Sequence, residues 1–580
     1  MKNAGAIKRT LKYTLKYKNS LIGAFIFAII SVCLTLLGPV LTGDAIDYII
    51  GKWQVDFSSV GKILIGLALT TAGVTVFQWL MSLCINRVSY LTVRDMRTDA
   101  YKKIGNVPLS YIDSTPHGDI ISRIVNDIDS VGEGLLQGVT QFFSGVITIL
   151  GTIGFMIAID IKIAIVVVLV TPLSLIVAAG ISRFSAKMFS KQQRMQGDIS
   201  SFVEEMIGNQ KVVTAFSMED ENQAEFEKLN EKLYYCGKDA QFASSLANPS
   251  TRFVNGIVYA AVGVIGSLSA IAGGLSVGQI SCFLTYANQY TKPFNEVTGV
   301  ITQLQTAIAG AARFFELIDS PDKTPDRENA KELTNIKGSV EFENVCFSYS
   351  PEKPLIQNFN LNVVPGSRVA IVGPTGCGKT TLINLLMRFY DVKSGEIRID
   401  NTPVTELKTQ SIRQSFGMVL QDSWLFEGTI RENIAYGKED ATEDEIIAAA
   451  KAAYAHSFIM ALPKGYDTVI SEDGSNLSQG QNQLLCIARV MLSNPPMLIL
   501  DEATSSIDTL TEQRVQLAFD RLMKGKTSFI VAHRLSTIKE ADIILVMKDG
   551  NVIEQGRHEE LLKLGGFYST LYNSQFAKTK

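Results

Sequence analysis

Cysteine is scarce in this chain: seven among 580 residues, at positions 33, 84, 236, 282, 346, 377 and 486. They are scattered, three or four of them in apolar runs, with no metal-ligand spacing, and those in the second half sit in a stretch read as cytosolic. Neither a disulfide framework nor a zinc site is expected. Positive charge is not in excess either. Lys and Arg number 54 against 57 Asp and Glu, a formal charge of −3, so nothing points to nucleic acid. Charged residues make up 19% of the chain while mean hydropathy is +0.17. That average hides a division. The first half is mostly long apolar runs, and the second half reads as an ordinary soluble domain. A length of 580 residues exceeds what one domain usually holds.

Crossing the hydrocarbon core of a bilayer takes about 20 apolar residues in a helix. Six stretches qualify, at residues 20–42, 60–85, 138–159, 162–183, 253–274 and 278–300. A basic amphipathic segment, Lys8 to Lys18, precedes the first and suits the membrane surface. A cleaved signal peptide is the alternative, but the apolar run is too long and no small-residue cleavage site is evident. Loops after the first, third and fifth spans are short and poor in Lys and Arg. The segments after the second and fourth are long and carry Arg87, Arg94, Arg97, Lys102, Lys103 and Arg123, then Lys187, Lys191, Arg194 and Lys211. That asymmetry places these segments and both termini in the cytoplasm. Their composition is helical, so the membrane helices are expected to continue well beyond the bilayer.

Residues 337–580 carry the chemistry. Gly373-Pro374-Thr375-Gly376-Cys377-Gly378-Lys379-Thr380 fits the phosphate-loop pattern G-x-x-x-x-G-K-[ST] in full. It follows an apolar strand, Val369 to Val372, and precedes a helix opening at Thr381, the context such a loop needs. Glycines let backbone N–H groups face phosphate oxygens, and the helix N-terminus adds its positive dipole end. Lys379 suits the outer phosphates of ATP and Thr380 offers a hydroxyl to Mg²⁺. Further on, Met497-Leu498-Ile499-Leu500 reads as a buried strand ending in Asp501, able to hold Mg²⁺ directly or through water, and Glu502, where a carboxylate can orient or polarise the attacking water. The plainer reading of Glu502 is a second metal-side carboxylate. His533 again ends a strand, where a solitary histidine is usually structural.

Between these motifs stands Leu477-Ser478-Gln479-Gly480-Gln481. It resembles the signature segment of ATP-binding cassette (ABC) proteins, commonly Leu-Ser-Gly-Gly-Gln, with Gln479 in place of the third-position glycine. The whole second half follows the ABC order. Gln421 resembles the Q-loop glutamine, a sensor of Mg²⁺ and water; Tyr349 the aromatic that stacks on adenine, unless it is a plain core residue. Asp508, in Ser505-Ser506-Ile507-Asp508, resembles the end of the D-loop, and His533 the switch histidine at the γ-phosphate. The resemblance implies a membrane all-α six-helix domain (residues 1–325), a linker (326–336) and an α/β P-loop ATPase domain (337–580). The run from Val107 through Asp127 is similar to the first intracellular segment of ABC exporters. It implies short transverse helices near residues 111–118 and 212–220 that touch an ATPase domain, the alternative being a plain solvated helical hairpin.

In the family, Ser478, Gly480, Gln481 and neighbouring N–H groups close over the ATP of an opposing domain, so one chain is half a transporter and a dimer is implied. A residue longer than glycine at position 479 crowds that approach, while Lys379, Asp501, Glu502 and His533 are intact. This combination resembles the catalytically complete half of a heterodimeric exporter; a homodimer is the alternative. Glu472-Asp473-Gly474 also departs from the usual Glu-Arg-Gly. The implied function is ATP-driven efflux of amphiphilic drugs or lipids across the cytoplasmic membrane by alternating access. A regulator or channel is disfavoured by the intact Glu502, an importer by the fusion of membrane and ATPase parts, and a leader-peptide exporter by the lack of a preceding protease domain. Lys292 and Glu296, four apart in the sixth span, either line the cargo cavity or pair with each other.

Overall fold

The computed structural model describes residues 2–51, 54–350, 352–420, 423–471, 476–501, 508–532 and 535–575. It divides into two compact units: Met1–Val107 with Thr115–Ser320, and Pro108–Ser114 with Pro321–Lys580.

The first unit is helical. It begins with α1 (Lys2–Leu15), α2 (Lys18–Asp47) and α3 (Phe57–Ile104). After α4 (Leu109–Ser114), which belongs to the second unit, come α5 (His117–Ile124), α6 (Asn126–Ile159), α7 (Ile161–Gly208) and α8 (Gln210–Ala215). The unit closes with α9 (Glu219–Ser245), α10 (Ala247–Ile271) and α11 (Val277–Ile318). Residues 20–42, 60–85, 138–159, 162–183 and 278–300 fall within α2, α3, α6, α7 and α11. The fifth stretch stops short of its expected end, because α10 is capped at Ala272 and Gly273 takes φ +77°. Four helical stretches among the described residues are long and apolar enough to cross a membrane: Lys18–Asp47, Phe57–Ile104, His117–Ile159 and Glu219–Ile271. The most apolar stretch of Phe57–Ile104 has none of its residues buried inside the protein, as a lipid-facing surface requires. At 1.5 Å per residue the 48 residues of α3 span about 72 Å, more than twice the hydrocarbon thickness. The membrane helices do continue past the bilayer.

Small residues let these helices approach closely, as membrane helices do. A Cβ on Gly278 would lie 2.0 Å from the carbonyl oxygen of Gly43, so α2 and α11 meet backbone to backbone. Asp47 fastens the same junction, accepting from the Gly278 N–H at 2.7 Å and the Ser276 hydroxyl at 2.5 Å. Farther along α11, Arg313 Nε donates to the buried Asp127 at 2.7 Å, with a second bond from its NH2 group. Two short helices lie near the places the sequence suggests but start and end earlier, over Leu109–Ser114 and Gln210–Ala215. Pro116 caps the next helix with φ −55° and ψ 131° and cannot lie inside a helix reaching residue 118. Ser217 takes φ +52° and closes the second. The pairing of Lys292 with Glu296 lies outside the described side chains.

The second unit is α/β. Its main sheet runs in the order Asn551–Gly556, Ile543–Lys548, Arg368–Val372, Thr527–Val531, Met497–Asp501, Phe416–Val419. All neighbours are parallel except the antiparallel edge Asn551–Gly556. The inner strands are continuous apolar runs because both faces are covered. On one face Ala370, Val372, Leu498 and Leu500 pack against the helix Gln479–Ser493 through Leu484, Leu485 and Ile487. On the other, Val369, Ile371, Ile499 and Phe529 pack against the helix Lys379–Leu386. A four-stranded antiparallel sheet, Ile356–Val363, Val340–Phe347, Ser394–Ile399 and Thr402–Pro403, covers that second face further.

Candidate nucleotide site

The site forms where parallel strands end. Register places Ile371, Val531 and Asp501 side by side on three neighbouring strands. With strands 4.7–4.9 Å apart, Asp501 lies about 10 Å across the sheet from the start of the phosphate loop. The crevice beyond the carboxyl ends of such strands is where open α/β sheets hold ligands.

Gly373 leaves the strand at φ +157°, and a Cβ there would fall 2.3 Å from the carbonyl oxygen of Met547 and 2.7 Å from the Cys377 sulfur. Gly378 takes φ +100° as the left-handed N-cap of Lys379–Leu386. A glycine is needed at both positions, one for space and one for backbone conformation. Pro374, Thr375 and Gly376 are exposed along the loop, whereas Cys377 is buried and burial pushes its thiol pKa up. Lys379 Nζ donates to the carbonyls of Gly373 at 2.9 Å and Pro374 at 3.1 Å. Its ammonium is thereby held across the loop mouth. Thr380 is exposed on the first helical turn, and Thr381 is buried beside it.

Tyr349 is 53% exposed, so the plain core reading fails. Its hydroxyl meets the Thr381 hydroxyl at 3.2 Å and the Asn384 amide at 3.3 Å. Its ring stands edge-on to Phe347 and to Tyr390, at 4.9 and 5.0 Å between centroids. Tyr390 in turn donates from its hydroxyl to Asp113, on the short α4 helix that belongs to this unit. Burial and that bond push the Tyr390 hydroxyl pKa well above the usual tyrosine range. Sequence reasoning missed Asn384 and Tyr390. Asn384 is signalled by its place on the phosphate-loop helix, one turn after Thr380, but Tyr390 carries no sequence signal.

Ser478 and Gln481 are used first by their own helix. The Ser478 hydroxyl accepts from the Gln481 N–H at 3.3 Å, and the Gln481 side chain accepts from the Ser478 N–H at 2.9 Å, a reciprocal cap. Gln479, the first helical residue, is exposed and Gly480 is buried. Asp508 likewise caps the helix Thr509–Met523, accepting from the Thr511 N–H at 2.9 Å, and that bond lowers its pKa. The loop and the signature do not converge, since their helices cover opposite faces of one sheet. Gln421, Glu502 and His533, with Glu472-Asp473-Gly474 and Ser505 to Ile507, lie outside the described residues.

Family models match twice, as the ABC transporter transmembrane region over residues 21–294 and as ABC transporter over residues 356–505. A fatty acid ABC transporter ATP-binding/permease protein of Mycobacterium tuberculosis is 42% identical over 89% of this chain and 81% of its own length. The ATP-dependent lipid A-core flippase of Desulfotalea psychrophila is 38% identical over 99% of this chain and all of its own. Among solved structures, a bacterial Atm1-family ABC exporter with ATP bound superposes with a TM-score of 0.79 at 29% identity, covering 97% of this chain and 99% of that one. With a helical membrane domain and an ATP-hydrolysing cassette on one polypeptide, this chain belongs to the ABC transporter family as an exporter that couples ATP hydrolysis to transport.

Proposed function

We propose that this chain is one half of a dimeric exporter of amphiphilic lipids or drugs, paired with an unequal second chain. The observation that carries the dimer is the placement of the phosphate-loop helix and the signature helix on opposite faces of one sheet, with Ser478 and Gln479 exposed. A nucleotide on Lys379 needs its second wall from another domain. Exposed apolar side chains on α8 and at its C-cap, Val212 (54%) and Phe216 (76%), are a further surface for a second subunit. The lipid names of two relatives support an amphiphilic cargo.

In this reading Tyr349 stacks on adenine, and the N–H groups of Gly376 to Thr381 and the Lys379 ammonium hold the phosphates. Thr380 and Asp501 are the hard oxygen donors that suit Mg²⁺, which when bound neutralises phosphate charge. Glu502 orients the attacking water, with Gln421 and His533 beside the γ-phosphate. Two ATP molecules bridging the dimer favour the closed conformation, and hydrolysis removes that preference and resets the cavity. Unequal sites follow from Gln479, whose side chain stands where a partner's nucleotide needs close backbone approach. The partner would supply a regular signature to this chain's own Lys379 and Glu502. The membrane is the cytoplasmic one, with both termini and the ATPase unit in the cytoplasm.

ATPase activity of this chain purified alone in nanodiscs, beside its Glu502→Gln and Gln479→Gly forms, tests the pairing. Near-zero turnover restored by a co-expressed partner chain is expected. Robust turnover alone, lost in Glu502→Gln, would establish a homodimer instead.

A further inference from the structure

Within the helical unit, α1 and the residue just after it, Lys16, lie against α3 and Phe315 of α11, and between them lies a cavity of about 730 Å³. Five cations line it: Arg9, Lys12, Lys16, Arg94 and Lys102. Only two carboxylates do, Asp95 and Asp99. Both are already engaged. Asp95 accepts from Lys16 at 2.6 Å, Tyr17 at 2.7 Å and Arg94 at 3.0 Å. Asp99, three residues before Lys102, is turned to the Tyr13 hydroxyl at 2.7 Å. Arg9 is held bidentately by Asp319 at 2.5 and 2.9 Å and lies over the Phe315 ring. Among the described residues, Lys12 and Lys102 are left without an acidic partner. Two like charges facing one polar space call for an anion there.

The surroundings say which kind. Ile7, Leu11 and Leu15 recur at intervals of four along α1 and are 41%, 51% and 56% exposed. Lys12 follows Leu11 by one residue, about 100° around the helix, so a cation borders the apolar stripe, the pattern of a helix resting in a membrane interface. The α2 helix continues the apolar exposure through Ile22, Phe25 and Ile26. With α1 in the membrane interface, the cavity would open beside hydrocarbon at headgroup depth.

We propose that this cavity binds the phosphate headgroup of an anionic lipid, with Lys12 and Lys102 as its cations and the acyl chains along the apolar side of α1 and α2. Basic pockets between membrane helices take acidic headgroups by this chemistry. The inference rests on α1 lying in the membrane interface and not on the identity of the cargo or of the partner chain.

Native mass spectrometry of the full-length transporter, titrated with phosphatidylglycerol, phosphatidylcholine or inorganic phosphate, tests it. Phosphatidylglycerol should bind in preference to phosphatidylcholine, and Lys12→Gln/Lys102→Gln should weaken it about thirtyfold. The control Lys8→Gln/Lys18→Gln removes equal charge outside the cavity and should stay within about twofold of wild type. Lys12→Arg/Lys102→Arg should restore binding. Equal weakening in the control would reduce the effect to general surface charge, and unchanged binding in the Gln pair would overturn the site. Displacement of the lipid by millimolar inorganic phosphate would assign the cavity to a soluble anion instead. Should the Gln pair fail to fold, Lys102→Gln alone, on an exposed position of α3, is read the same way.

Discussion

Lys379 is held by two carbonyls of its own loop, so its ammonium is positioned before any phosphate arrives. Lys379→Ala should reduce ATP turnover at least about a hundredfold, the usual loss of one preorganised donor. Thermal stability should barely change, because the side chain is not part of a core. Gly373→Ala should behave differently. Its Cβ would meet the Met547 carbonyl at 2.3 Å, so a strand must move. A loss of about 1–3 kcal/mol in stability is expected together with lost nucleotide binding. Arg313→Met would leave the buried Asp127 carboxylate without its two bonds, and a melting curve in detergent should show a cost of about 2–3 kcal/mol. Asp127→Asn/Arg313→Met should recover part of it, since an amide tolerates that burial better than a charge.

The α4 helix is too short to be stable alone, and its position depends on partners such as Tyr390. Tyr390 also stands edge-on to Tyr349, so base stacking and α4 share one residue. Tyr390→Phe keeps the ring contact and removes the bond to Asp113. Its expected outcome is ATP affinity within about twofold of wild type but cargo stimulation of the ATPase about threefold lower, in line with one lost hydrogen bond. The junction of α1 with α3 makes a pH prediction. Burial opposes the charge on Asp95, but bonds from Lys16, Tyr17 and Arg94 outweigh it and hold its pKa at about 2. A depressed carboxylate pKa contributes stability that is present above the unfolded value near 4 and is lost as pH falls through about 2. Wild type should therefore lose stability across that window, and Asp95→Asn, already weaker at neutral pH, should lose less of it.

The molecule as a whole is an ATPase cassette joined to helices whose apolar surfaces face outward. Exposed Leu64, Ile65, Leu69 and Trp79 on α3 would be an aggregation hazard in water and are ordinary in lipid. Assembly follows the same economy of surfaces. A cassette whose phosphate loop and signature point to different places completes no site by itself, so turnover should rise with dimer formation. Measured against protein concentration, activity of the purified half-transporter, with a second chain added if the pairing proposed above holds, should show a second-order dependence at low concentration and then saturate.

Much of this was legible in the amino-acid order. The phosphate loop, the two strand ends and the signature are local patterns, written in consecutive residues because backbone N–H groups and a strand-to-helix turn need particular residues in a row. The apolar spans were equally local, since bilayer thickness sets helix length directly. Other features needed the fold. Tyr390 reaches Tyr349 and Asp113 across large separations in the chain, and Asp127 finds Arg313 on another helix, pairings that no periodicity records. The two short helices at Leu109–Ser114 and Gln210–Ala215 end earlier than the sequence suggests because Pro116 and the positive φ of Ser217 set their ends. The same holds for the basic cavity: its five cations come from α1, from Lys16 just after it, and from α3, and they become one site because Asp95 pairs with Lys16 and Arg94, Asp319 holds Arg9, and Asp99 is turned to the Tyr13 hydroxyl, leaving Lys12 and Lys102 without an acidic partner among the described residues.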